Sequence, residues 1–138
     1  MLLLIYKIQN IEYLSEKDMI DKSSIIERLD ILHEANIISP TVREKSELVV
    51  NRFLDISDDF DQEKMDVFCV HLAIALSRVE KGECESGTDE NIVAEIKQNG
   101  NYNEASKILN EIEDLFQVEI PEGEKILLLI HICNLLER

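Results

Sequence analysis

The chain has 138 residues, of which 45% are hydrophobic, and this is enough for one domain with its own hydrophobic core. Its 29 acidic and 14 basic residues give a formal net charge of -15. Such a charge repels polyanions, and no run of Lys or Arg forms a basic patch. We therefore expect neither direct nucleic-acid binding nor attachment to an anionic membrane surface.

The cysteines and the apolar runs indicate a cytoplasmic protein. Cys69, Cys84 and Cys133 are an odd number without the spacing of a disulfide framework, which is typical of free thiols in a reducing compartment. The apolar start Met1–Ile5 is too short for a signal-peptide core and lacks a basic lead. The later run Ile126–Ile130 falls far below the roughly 20 residues of a membrane span.

Helices dominate the predicted structure. Only four glycines and two prolines interrupt the chain, and no strand-like alternation is sustained, so the pattern favours helices over a sheet. Residues 1–22 are predicted to form an N-terminal arm or an extra helix. Six helical stretches follow, at about Ser24–Ala35, Ser39–Ile56, Gln62–Lys81, Asp89–Gln98, Asn103–Gln117 and from Pro121 onward.

Local signals mark several helix ends. The Ser39 hydroxyl can cap the second helix, and Pro40 suits its first turn. Gly82 is predicted to end the third helix and to begin a polar loop over residues 82–88. The last helix is apolar nearly all round from Ile126 to Cys133, so we expect it to be the central, buried one.

Two histidines occupy matching apolar settings. His71 and His131 are each preceded by a β-branched residue and followed by an aliphatic one, and residues 68–73 can be laid over residues 128–133. One such histidine alone is more often a core residue satisfied by a single hydrogen bond. The repetition of the setting instead favours a proton switch, a metal ligand, a general base or a phosphoryl acceptor. The third histidine, His33, lies near a helix C-terminus, where it complements the helix dipole.

The spacing of potential ligands argues against a metal site. Cys69 precedes His71 by two residues and Cys133 follows His131 by two, but such residues on a helix point about 200° apart. Two ligands are also too few for the usual tetrahedral site. No phosphate-binding loop, nucleophile elbow or Ser/His/Asp order is present, so we expect neither a cofactor nor an enzyme.

Two segments of the chain resemble the histidine motifs of the PTS regulation domain, or PRD, a family of bacterial regulators. The run from Val70 to Glu83 resembles the first motif, and Ile120–Glu124, followed by six residues and His131, resembles the second. Leu29–Ser39 resembles the opening helix and turn of the family. The resemblance covers about residues 23–138.

The resemblance implies both a fold and a function. The fold is an all-α bundle of five to six helices with antiparallel helix pairs, usually in a symmetric homodimer. The histidines of the two motifs accept phosphoryl groups from the histidine phosphocarrier protein or an enzyme II component of the sugar phosphotransferase system. Carried over, this makes His71 and His131 the candidate phosphoacceptors and gives Arg78 and Glu124 a supporting role, without any cofactor.

The output of the protein is expected to differ from that of most relatives. Regulators of this family carry an RNA-binding or helix-turn-helix module, for which about 22 residues before the match leave no room. We therefore expect a stand-alone, single-copy PRD protein that acts through contact with another protein. The alternative is an interaction module that keeps the PRD fold and has lost phosphoacceptance.

Overall fold

The computed structural model describes residues 20–57, 59–83 and 89–137 of the chain. The predicted arm or extra helix at residues 1–22 lies almost wholly outside this part, as does most of the predicted loop, so both stay predictions. Within the described ranges the fold is all-helical and has six helices, as predicted. They are α1 Lys22–Glu34, α2 Pro40–Ile56, α3 Gln62–Lys81, α4 Glu90–Lys97, α5 Tyr102–Phe116 and α6 Glu122–Leu136.

The helix ends follow the predicted signals within two residues or so. The Ser39 hydroxyl accepts a hydrogen bond of 3.1 Å from the backbone N–H of Val42, with Pro40 in the first turn of α2. Gly82 ends α3 in the left-handed conformation with φ 72°. Aspartate side chains cap three further helices in the same way, and these are Asp21, Asp61 and Asp89.

Helix direction follows from the short connections and from contacts between distant residues. In the antiparallel pair α2 and α5, the Arg52 side chain meets Glu111, and the Lys45 ammonium reaches the carbonyl oxygen of Phe116 at 3.5 Å. Helices α3 and α6 form the second such pair. Because two reversals separate α1 from α3, these two helices run parallel.

The core lies among all the long helices, and α6 contributes the largest buried fraction of its residues. Eight of the 15 residues of α6 are buried, and the helix contacts α3, α4 and α5, while α3 contacts α1, α2 and α6. Phe53 packs edge-to-face on both Phe60 and Phe68, with ring centroids 5.7 and 5.1 Å away. Within the described ranges, no helix combines the length and the hydropathy that a membrane crossing requires.

A pair of glycine variants tests the role of the α3 C-cap. A Cβ added at Gly82 meets no atom within 4 Å, so Gly82→Ala carries only the conformational cost of a left-handed alanine. We expect its free energy of unfolding to fall by about 1 kcal/mol in urea denaturation. Gly100→Ala is the matched control, because space is also open there and φ is not positive. It should leave stability unchanged or slightly raised, and an equal loss in both variants would contradict this account.

Candidate functional site

The imidazole rings of His71 and His131 lie against one another. Their centroids are 4.3 Å apart and their planes are inclined by 17°, so the rings are stacked. His71 is exposed and His131 is half-buried. The interpretation as a core histidine is therefore wrong for His71, and both rings lie at the surface between α3 and α6.

The register of the antiparallel helices α3 and α6 brings the rings together. Lys64, His71 and Arg78 are seven residues apart, so they lie on one face of α3 at intervals of about two turns. Each meets a partner on α6 or at its C-cap. In the same order, the partners are the backbone carbonyl groups of Asn134 and of the C-cap residue Glu137, the ring of His131 and the carboxylate of Glu124. The two histidines are thus one level of a polar stripe that follows the whole helix pair.

The similarity in sequence around the two histidines extends to the burial of the surrounding residues. Residues 67–73 and 127–133 share one burial pattern. In each segment the first residue is exposed, the next two are buried, and the residue before the histidine is half-buried; the two residues after the histidine are buried. Because α3 and α6 are antiparallel and these positions face each other, an approximate local two-fold axis relates the segments at the stack. The exposed residues at the start of the pattern are Val67 and Leu127, which lie one turn before each ring.

Electrostatics keep His131 neutral. Burial lowers the pKa of His131 below its ordinary value, because an imidazolium loses hydration there, and the nearby His71 charge lowers it further. The neutral imidazole is the form that carries a nucleophilic lone pair. At neutral pH this ring is therefore available for attack on an electrophile without loss of a proton beforehand.

The half-buried Arg78 forms an ion pair with the fully buried Glu124, two turns away from the stack. Arg78 donates from Nε to Oε1 at 2.8 Å and from Nη2 to Oε2 at 3.1 Å, and Glu124 is completely buried. Glu124 lies in the first turn of α6, where the helix dipole favours a carboxylate. The pair holds α3 and α6 in register, about 10 Å along the helix from the histidines, so its effect on the rings is positional.

A groove between α1 and α3 opens beside His71, and sequence reasoning missed the polar residues that line it. Asp66 accepts hydrogen bonds from Gln62 Nε2 at 3.0 Å and from Ser24 Oγ at 3.3 Å, and Arg28 Nη2 lies 3.7 Å from Asp66 Oδ2. The available signal was the spacing of four residues between the polar groups of each helix. The groove is lined by Arg28, Gln62, Glu63, Asp66, Val67, Val70 and His71.

The remaining candidate residues have no part in the histidine site. Burial raises the pKa of the Cys69 thiol to about 12, with the Asp66 charge as the second cause, and burial also raises the pKa of Cys133. Both thiols are thus poor nucleophiles. Among the described residues, no group of three or more His, Cys, Asp or Glu side chains could hold a metal ion. His33 lies in the last turn of α1.

These features define a helical bundle that presents a paired-histidine site, and comparison with family models identifies the family. Residues 49–135 match the PRD domain. The match covers more than half of the chain and contains His71, Arg78, Glu124 and His131, so the chain belongs to the PRD family. Comparison with curated proteins and with solved structures gave no match. Membership indicates a regulatory role with a link to the sugar phosphotransferase system.

Removing Arg78 tests whether the buried pair stabilises the helix register. Arg78→Met removes two hydrogen bonds to the buried Glu124 carboxylate, and Arg78 itself is 32% exposed. We expect the free energy of unfolding to fall by about 2–3 kcal/mol, which is somewhat less than the loss for a fully buried pair. Arg52→Met is the matched control, since Arg52 meets Glu111 in similar geometry where both side chains are nearly half exposed. It should cost less than about 1 kcal/mol, and a similar loss in both variants would contradict the assignment.

The lowered pKa of His131 predicts an acid-dependent loss of stability. Below the ordinary pKa of 6.5 the unfolded chain binds a proton at His131 more readily than the folded chain does. The free energy of unfolding should therefore fall as pH drops through this value, until the folded protein is protonated as well. In His131→Gln this part of the pH dependence should be absent, as measured by urea denaturation from neutral pH to about pH 5. His33→Gln, which removes a histidine outside the stack, should keep it; an unchanged acid profile in His131→Gln would refute the prediction.

Proposed function

We propose that the protein is a phosphorylation-responsive regulator of the sugar phosphotransferase system, with His71 and His131 as its phosphoryl acceptors. The observation that supports this best is the stacked pair of imidazoles at the surface of a PRD bundle. Arg78 and Glu124 support the acceptors by holding α3 and α6 in register. In this proposal the histidine phosphocarrier protein or an enzyme II component donates the phosphoryl group.

The transfer requires only the neutral form of the acceptor ring. An imidazole nitrogen of this chain attacks the phosphorus of the donor phosphohistidine, and a new P–N bond forms as the donor P–N bond breaks. The electron pair of that bond returns to the donor imidazole. The lowered pKa of His131 favours this chemistry at neutral pH. No metal or organic cofactor takes part in the transfer.

The output in this proposal is a change in protein–protein contact. A phosphoryl group adds close to two negative charges, to a chain that already has a formal net charge of -15. It would appear beside the exposed apolar side chains of Val67 and Leu127, which is the type of surface that a partner covers. We infer that phosphorylation shifts the association of this face with a second copy in a homodimer, or with a target protein.

Phosphoryl transfer from purified donors tests the function directly. The full chain is incubated with the phosphorylated carrier protein and with phosphorylated enzyme II components, and the modified residues are located by mass spectrometry under alkaline conditions. We expect a phosphoryl group on His71 or His131 of the native chain and on neither position of the His71→Gln, His131→Gln double variant. His33→Gln is the control and should be phosphorylated as the native chain is. Native protein that takes up no phosphoryl group from any donor would refute the proposal and favour the interaction module without acceptor function.

A further inference from the structure

The two stacked rings have unequal surroundings. His71 is exposed and lines the groove between α1 and α3, whereas His131 is half-buried. A doubly charged group on His131 would lose more hydration than the same group on His71, because burial of charge is costly. On the grounds of solvation, the first phosphoryl group belongs on His71.

Arg28 is the cationic residue among those that line this groove, and its ion pair there is loose. The distance of 3.7 Å from Arg28 Nη2 to Asp66 Oδ2 is well beyond the 2.7–2.9 Å of a charge-assisted hydrogen bond. Arg28 is otherwise held through Nη1, which donates to the Ser24 carbonyl at 3.1 Å and to the Ser24 hydroxyl at 2.8 Å. Its side chain is 43% exposed, so the guanidinium has room to turn.

Asp66 does not depend on Arg28 for its hydrogen bonds. Gln62 Nε2 donates to it at 3.0 Å, and the Ser24 hydroxyl contacts both of its oxygens at 3.3 Å. The Asp66 carboxylate would therefore keep its neutral partners if the guanidinium left. A second carboxylate, Glu63, also lines the groove and repels an incoming anion.

We propose that His71 takes the first phosphoryl group and that Arg28 binds it, exchanging Asp66 for the phosphoryl oxygens. The inference rests on the proposed function and adds to it a residue of α1, which lies outside the matched segment 49–135. Phosphoryl oxygens offer Arg a bidentate partner with twice the charge of a carboxylate. The exchange would loosen one contact between α1 and α3 and so carry the signal away from the stack.

Phosphoramidate is the probe, because it phosphorylates histidine without any protein donor. A nitrogen of His71 attacks the phosphorus, a new P–N bond forms, and the P–N bond of the reagent breaks. The electron pair of that bond stays on the leaving nitrogen, which departs as ammonia with the proton lost by the imidazole. Initial rates at each histidine are measured on the full chain by mass spectrometry under alkaline conditions.

Five variants separate the role of Arg28 from that of general charge. Arg28→Gln should slow modification of His71 about tenfold, and Arg28→Lys should restore part of the rate, since a Lys keeps the charge without the bidentate fork. Asp66→Asn should accelerate it several-fold by releasing Arg28. Glu63→Gln, which removes a groove carboxylate without freeing Arg28, should have a smaller effect. Arg52→Gln, on the remote α2–α5 pair, should have none.

The outcomes distinguish this inference from the proposed function. Equal rates at His71 in Arg28→Gln and native protein would overturn it, as would faster modification of His131 than of His71, or modification of neither. Equal acceleration by Asp66→Asn and Glu63→Gln would also overturn it. If Arg28→Gln fails to fold, Asp66→Asn still decides, because its predicted change has the opposite sign. The protein-donor experiment judges the proposed function independently, since transfer to His71 or His131 can succeed while Arg28 proves irrelevant.

Discussion

The site depends on the register of α3 against α6. The Arg78–Glu124 pair fixes that register in the interior, where a slip of one residue would break both hydrogen bonds to a carboxylate without solvent access. The same slip would rotate His131 by about 100° around its helix and separate it from His71. At the other end of the stripe, the Lys64 ammonium meets carbonyl groups at the C-terminus of α6, where the helix dipole favours a cation. A stable ion pair and a capped helix end thus hold the two imidazoles in contact between them.

The approximate local two-fold axis has an electrostatic consequence at the stack. Equivalent helix positions face each other, so the two imidazoles are in contact and the His71 charge contributes to the lowered pKa of His131. The surrounding helices do not follow this local two-fold axis. On one side, Arg28 of α1 joins the polar groove residues of α3 next to His71, while His131 belongs to the most buried helix of the bundle. The two histidines, which have similar sequence settings, therefore differ in solvation, and a dianion is more costly to accommodate at the half-buried one.

The helices were largely predictable from the sequence, because their signals are local. Ser39, Pro40 and Gly82 act through neighbouring backbone groups, and the apolar settings of His71 and His131 are visible within one or two turns. The contact of these histidines could also be deduced from residue spacing. His71 precedes Arg78 by seven residues and Glu124 precedes His131 by seven, so in an antiparallel helix pair with Arg78 beside Glu124, His71 lies beside His131. The exposure of His71 was not predictable, since a helical wheel shows which residues share a face but not which face a neighbour covers. Nor was the contact of Arg28 with Asp66, which joins residues 38 positions apart through the parallel packing of α1 on α3.

The stacked geometry also sets a condition on the route of phosphoryl transfer in the proposed function. A phosphoryl group bonds to a ring nitrogen in the plane of the ring, and transfer requires the attacking and leaving nitrogens to lie nearly in line with phosphorus. Rings whose planes are inclined by only 17° present their faces to each other, so their in-plane lone pairs do not point at one another. A direct relay from one histidine to the other would therefore require the stack to open. While His71 and His131 remain stacked, each must receive its phosphoryl group from the donor, and the ring that the donor reaches more easily is the exposed one.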